Sequence, residues 1–184
     1  VLASDHGFHM GEKDYLYKNS LWEESTRVPL IMRFPGVSIP DSKVEKVVSL
    51  IDVYPTLMDF CGLSDDTLKN EKGRALDGHS LRTLIENPEA KSWKGEKPAL
   101  TVVYAGPEFK NDPNLQHYAI RTDRYRYILY NNGKEELYDH QNDPNEWNNL
   151  ALDNADDQNT LLEMRDQMAV MVSPLKLNGF ISNN

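Results

Sequence analysis

From Pro98 onward the sequence breaks into short β-like runs separated by turn residues, and this texture constrains the fold more than any other feature of the chain. The runs are Ala99 to Tyr104, Tyr118 to Thr122 and Tyr125 to Tyr130. The last leads through Asn131-Asn132-Gly133 into Glu136-Leu137-Tyr138. β-Branched and aromatic residues fit a pleated surface, and an Asn-Gly step supplies the positive φ that tight hairpins need. The pattern predicts an antiparallel, hairpin-rich unit. Leu161 to Val172 has helical spacing and predicts a closing amphipathic helix. The tail from Ser173 to Asn184 reads as loop.

The first half reads differently. Val1-Leu2-Ala3-Ser4 has the character of the end of a buried strand, and Asp5-His6-Gly7 follows where strand gives way to loop, the place where open α/β sheets bind ligands. Phe8 to Asn19 has no period and reads as a loop. Leu21 to Glu24 suggests a short helix that stops before Val28-Pro29, because the residue before proline disfavours helical geometry. Pro29 to Phe34 is a short apolar strand ended by Pro35-Gly36. Ser49 to Cys61 predicts a helix with Val53, Leu57, Phe60 and Cys61 on one face, Pro55 in its first turn and Gly62 as its stop. A second short helix is expected around Ser80 to Glu86. A boundary near Glu89 to Lys97 divides the chain into residues 1–92 and 93–184.

Charge narrows the partners. Among 184 residues there are 20 Lys and Arg against 29 Asp and Glu, a formal net charge of −9, and the basic residues are scattered. That is not the footprint of a nucleic-acid binder, so no nucleic-acid partner is expected, and an anionic ligand would have to be held by locally placed cations or a metal. The one cysteine, Cys61, excludes an intrachain disulfide framework. No apolar run reaches the roughly 20 residues of a membrane-spanning helix, so no span is expected. The N-terminus has neither an initiator Met nor signal-peptide character, which leads us to expect a piece of a longer protein.

The chemistry concentrates near that N-terminus, where Asp5, His6, His9, Glu12, Lys13, Asp14 and Lys18 follow an apolar strand. A hard divalent cation needs oxygen ligands, and an Asp at a strand end can supply one. Read alone, the residues allow either a metal-binding loop or a turn whose Asp caps backbone and whose His lies at the surface.

The string Ser4-Asp5-His6-Gly7-Phe8-His9-Met10-Gly11-Glu12-Lys13, then Lys18, then Leu21-Trp22-Glu23-Glu24-Ser25-Thr26-Arg27-Val28-Pro29, resembles type I sulfatases of the alkaline phosphatase superfamily, particularly the iduronate-2-sulfatase-like branch. Ile51-Asp52-Val53-Tyr54-Pro55-Thr56-Leu57 and Gly78-His79-Ser80-Leu81 match the pattern in order. Arg121 to Ile128 with Glu136 to Ala151 is similar to the family's C-terminal subdomain signature. The resemblance implies an α/β fold: the last part of a mostly parallel, alkaline-phosphatase-like sheet core (residues 1–92), then a small C-terminal antiparallel sheet with a terminal helix (residues 93–184). It further implies that Asp5 ligates calcium, that His6 stands beside the metal or the sulfate, and that Lys18 contacts the sulfate. A cation and an ammonium group on the sulfate oxygens would offset charge developing during S–O cleavage. His9 faces the substrate or lies at the surface; both readings stand.

The remaining candidates read as structural. Glu12 and Lys13 order the loop, Arg27 pairs with Glu23 or Glu24 in a buried ion pair, Cys61 packs, and His79 and His140 hold structure. His117 is a candidate for the cleft rim. Asp143-Pro144 with Glu146 and Asn149 reads as a turn and helix cap.

The family's nucleophile is a formylglycine made within Cys/Ser-x-Pro-x-Arg, and this chain contains no such motif. Nor does it contain the family's N-terminal pair of aspartates, which completes the calcium site. The resemblance therefore implies a C-terminal portion whose nucleophile lies upstream. Alone it would be inactive, would hold calcium weakly and would associate through an unpaired sheet edge. Its partners would be a sulfated carbohydrate and the N-terminal part of the same sulfatase, in a periplasmic, secreted or lysosomal setting. Two other readings compete: a phosphonate monoester hydrolase or phosphodiesterase of the same superfamily, and a non-catalytic module that binds glycan or a partner.

Overall fold

A computed structural model describes residues 1–64, 71–104, 106–107, 112–152 and 157–172. In chain order the elements are β1 (Leu2–Ala3), α1 (Glu23–Thr26), β2 (Leu30–Ile31), α2 (Val53–Phe60), α3 (Arg82–Glu86), β3 (Ala99–Tyr104), β4 (Gln116–Arg121), β5 (Tyr125–Leu129), β6 (Glu135–Asp139) and α4 (Gln158–Met171). They fall into two units. One holds residues 1–5 and 29–97, the other 6–28 and 98–184. The predicted tail beyond Val172 lies outside the described residues.

In the first unit β1 and β2 pair antiparallel, Leu2 with Ile31 and Ala3 with Leu30. The expected buried strand is exposed here, with Leu2 62% accessible, because two residues with a single partner strand bury little. The core is Leu81, Leu84 and Trp93, covered by Leu30, Met32, Val48 and Ile85. Helix α2 starts after a 3-10 turn at Leu50–Asp52. Its face is not the expected one: Thr56 and Met58 are buried, Leu57 is partly exposed and Cys61 is exposed.

The reason is a buried polar network. The Asp52 carboxylate accepts from the Ser49 and His79 amides at 2.8 Å, while Thr56 Oγ1 donates to the Asp52 carbonyl at 2.6 Å and accepts from the Leu81 amide at 2.8 Å. Gly78 completes the join, since a Cβ there would lie 2.2 Å from the Ile51 carbonyl oxygen. The Ile51–Leu57 and Gly78–Leu81 blocks are thus two halves of one junction.

The second unit is a four-stranded antiparallel sheet in the order β3-β4-β5-β6. Strand alternation sorts its residues cleanly onto two faces. Tyr118, Ile120, Tyr127, Leu129 and Leu137 face α4, which contributes Leu161, Met164 and Met168 at helical spacing, with Val172 just past its end. Ala119, Ile128 and Tyr138 point the other way and pack against Leu21, with Trp22, Val103 and Tyr130 around them. The segment 6–28 therefore lies on the sheet face opposite α4, and the sheet is what carries the candidate loop.

Candidate functional site

Residues 6–20 form an arm closed by backbone rungs. The His9 amide donates to the Tyr17 carbonyl at 2.9 Å and the Gly11 amide to the Tyr15 carbonyl at 3.2 Å. Its tip takes left-handed backbone, with φ of 124° at Gly11, 57° at Lys13 and 55° at Asp14. At its base the Gly7 amide donates to the Ser25 carbonyl at 2.9 Å. A Cβ on Gly7 would lie 1.9 Å from the Glu24 carbonyl oxygen, so only glycine lets the arm approach α1 this closely.

The base also brings His6 and Lys18 together. Lys18 Nζ lies 2.9 Å from His6 Nε2, and His6 Nδ1 lies 2.8 Å from the Gly7 carbonyl oxygen. An ammonium group has only donors, so Nε2 accepts and Nδ1 carries the hydrogen given to Gly7. Both ring nitrogens are thereby engaged, and Lys18 presents an exposed cation beside the imidazole. Asp5 is exposed and falls in the other unit, at the end of β1.

His9 is fully buried, not at the surface. Its ring stands edge-on to Tyr15 and Trp22, and Nε2 lies 2.9 Å from Ser20 Oγ. Lys13 anchors the arm's tip. Its Nζ donates to the Glu146 carbonyl and, at 3.2 Å, to the Tyr138 hydroxyl, and it lies over the Tyr138 ring at 4.5 Å.

Glu146 is the residue that sequence reasoning missed. It closes the expected turn, its amide donating to the Asp143 carbonyl at 3.2 Å, but its side chain is no surface group: it is 1% exposed with φ 58°. Its carboxylate accepts from Arg126 Nε at 2.5 Å and from the Glu23 amide at 3.0 Å, and lies 2.9 Å from His140 Nε2. Arg126, itself 2% exposed, also binds Glu23 and the Leu21 carbonyl. Burial alone would raise the Glu23 carboxyl, but Arg126 and Arg121 overcome this and hold it below its ordinary range. Burial likewise opposes ionisation of Glu146, and the His140 hydrogen bond and Arg126 hold it low. Glu23 thus pairs with Arg126 and Arg121, 103 and 98 residues away, whereas the expected partner Arg27 is exposed. Local sequence carries no signal for so distant a pair.

Among the described residues, Glu23, His140 and Glu146 are the one group of three ligating side chains whose atoms lie within 4.8 Å of one another. Arg126 already bridges both carboxylates, so an added cation would meet a fixed guanidinium. The cluster is a charge-matched tether and not a metal centre. His117, the rim candidate, is half-buried, with Nδ1 accepting from the Asn131 amide at 3.1 Å and its ring against Tyr130.

The family described as N-sulphoglucosamine sulphohydrolase, C-terminal, matches residues 11–173. Arylsulfatase K of Mus musculus is 34% identical over 159 residues, covering 83% of this chain and 27% of that protein. The solved structure of BT4656 in complex with its substrate D-glucosamine-2-N,6-O-disulfate superposes with a TM-score of 0.75 at 27% identity, over 96% of this chain and 35% of that one. Phosphonate monoester hydrolase of Agrobacterium radiobacter gives a TM-score of 0.74 at 28% identity, over 92% and 34%. The chain spans about a quarter of the length of the curated relatives it matches.

Proposed function

The chain belongs to the family of the N-sulphoglucosamine sulphohydrolase C-terminal region, and from that premise we propose that it is the C-terminal portion of a sulfuric ester hydrolase. The substrate class we assign is sulfated sugars or glycosaminoglycan-like polysaccharides, a reading supported by the sugar disulfate bound to a structural neighbour. Within the family, the string from Ser4 to Pro29 is what favours an iduronate-2-sulfatase-like branch; arylsulfatase K is the competing relative.

The observation that carries the reading is the His6–Lys18 pair at 2.9 Å on an arm fixed to the sheet. Lys18 would place its ammonium against the sulfate oxygens, where opposite charge counts most as the ester bond breaks. His6, with both nitrogens engaged, has neither a free N–H for the anion nor a free lone pair for a hard cation that prefers oxygen, and its assigned part is to steady the Lys18 ammonium. Asp5 would be the oxygen ligand this chain gives to calcium, and it can supply only part of a shell of six or more. When bound, calcium contributes positive charge on the ester oxygens. The nucleophile, a formylglycine, is assigned to the N-terminal part of the same sulfatase.

Among the described residues no helix is long and apolar enough to cross a membrane. A periplasmic, secreted or lysosomal site is proposed from the family and its need for calcium.

The test is sulfate release from 4-nitrocatechol sulfate and a panel of sulfated disaccharides. It compares this chain with the protein extended upstream and co-expressed with a formylglycine-generating enzyme. Activity confined to the extended protein supports the proposal. Cleavage of phosphonate monoesters or phosphodiesters with none of sulfate esters would move the assignment to the hydrolases represented by the Agrobacterium enzyme.

A further inference from the structure

We propose that His9 is a positioning residue that holds Lys18 in place through Ser20, and does not itself touch substrate. The inference rests on Lys18 being the sulfate contact. His9 is fully buried, and a side chain enclosed by Tyr15 and Trp22 offers no surface to a ligand. What it offers is a directed bond. Ser20 Oγ donates to Ser25 Oγ at 2.8 Å, so its lone pair is what faces His9 Nε2 at 2.9 Å, and the imidazole donates from that nitrogen.

The link brackets Lys18 on both sides. The His9 amide holds the Tyr17 carbonyl, and the Ser20 amide donates to the Lys18 carbonyl at 3.0 Å. The side chain of His9 ties down Ser20, and Ser25 joins the chain to α1. The Lys18 backbone is therefore held one residue after one clamp and two before the other, and its ammonium lies 2.9 Å from His6 Nε2. Filling the space between Tyr15 and Trp22 does not call for an imidazole. A buried polar ring has a desolvation cost, and His9 Nδ1 has no hydrogen-bond partner among the described residues. An apolar side chain would pack there without that cost, so what the imidazole adds is the Nε2 bond.

The test uses the full-length, formylglycine-bearing protein with 4-nitrocatechol sulfate, comparing Ser20→Ala, His9→Leu and the double variant with Ser20→Thr, His9→Gln and Lys18→Ala. Displacing a reacting group by about 1 Å can cost on the order of 100-fold. We expect Ser20→Ala and His9→Leu each to lower kcat by roughly 10-fold to 100-fold while KM moves little. The double variant should be no worse than the worse single, and the hydroxyl- and amide-retaining variants should recover most of the loss. Ser20→Ala is the mild change that keeps the question open to refutation if His9→Leu fails to fold.

Wild-type kcat in Ser20→Ala, or multiplicative losses in the double variant with KM raised by His9→Leu alone, would overturn the proposal and make His9 a direct contact. Should Lys18→Ala keep full activity, the assignment of Lys18 fails and this inference with it, an outcome distinct from the others.

Discussion

At the scale of single residues, close approach and buried charge leave the least room for change. Gly7 has no space for a Cβ, 1.9 Å from the Glu24 carbonyl oxygen, so Gly7→Ala must push the arm off α1. Overpacking of this kind costs about 1–3 kcal/mol, and a urea melt should show that loss. Glu146 and Arg126 are each almost fully buried, and removing one partner of such a pair costs about 3–5 kcal/mol. Glu146→Gln should fall in or just below that range, since the amide keeps its shape while Arg126 loses a counter-charge. The pH dependence follows from the sign of the shifts. Glu23 and Glu146 both titrate below the ordinary 4.5 in the folded chain. Their contribution is complete above that value and is lost as pH falls through the lower, folded values. Stability measured from pH 6 down to pH 3 should drop steeply in the wild type and less steeply in Glu146→Gln.

At the scale of elements, the helix α4 and the sheet it covers were legible because their periods are local. The run from Ala99 to Tyr104 coincides with β3, and the helix predicted over Leu161 to Val172 runs from Gln158 to Met171. The packing predicts a contrast on one helix. Met164→Ala, at a fully buried site, should cost about 2–5 kcal/mol. Val170→Ala, 79% exposed, should stay within about 0.5 kcal/mol in the same melt. Helix α2 was legible as a helix but not in its buried face. Its inward side is built on Asp52 and Thr56, which bond backbone from the His79 and Leu81 region, and a hydrophobic count cannot find a polar seam. The arm was not legible as structure at all, because its rungs join Gly, Tyr and His through backbone and its tip relies on left-handed residues other than glycine.

At the scale of the molecule, the texture change near residue 92 divides the sequence into 1–92 and 93–184, whereas the contacts group residues 6–28 with 98–184. The physical cause is the set of long-range bonds from Arg126, Glu146 and Tyr138 to Leu21, Glu23 and Lys13. These bonds give the C-terminal signature a purpose: the block from Arg121 to Glu146 is the seat of the arm that carries His6 and Lys18. The resemblance of the string singles out His6 and Lys18 as candidates, whereas the seat left no local signal because its charge pairs lie about a hundred positions apart. The measurement that tests this account most directly is kcat for sulfate release by the full-length, formylglycine-bearing protein with Lys18→Ala, beside the wild type and Lys18→Arg. Loss of one positioned charge donor to the reacting group predicts a fall of about 100-fold or more in Lys18→Ala, with part of it restored by Lys18→Arg. An alanine variant that releases sulfate at the wild-type rate would contradict the account.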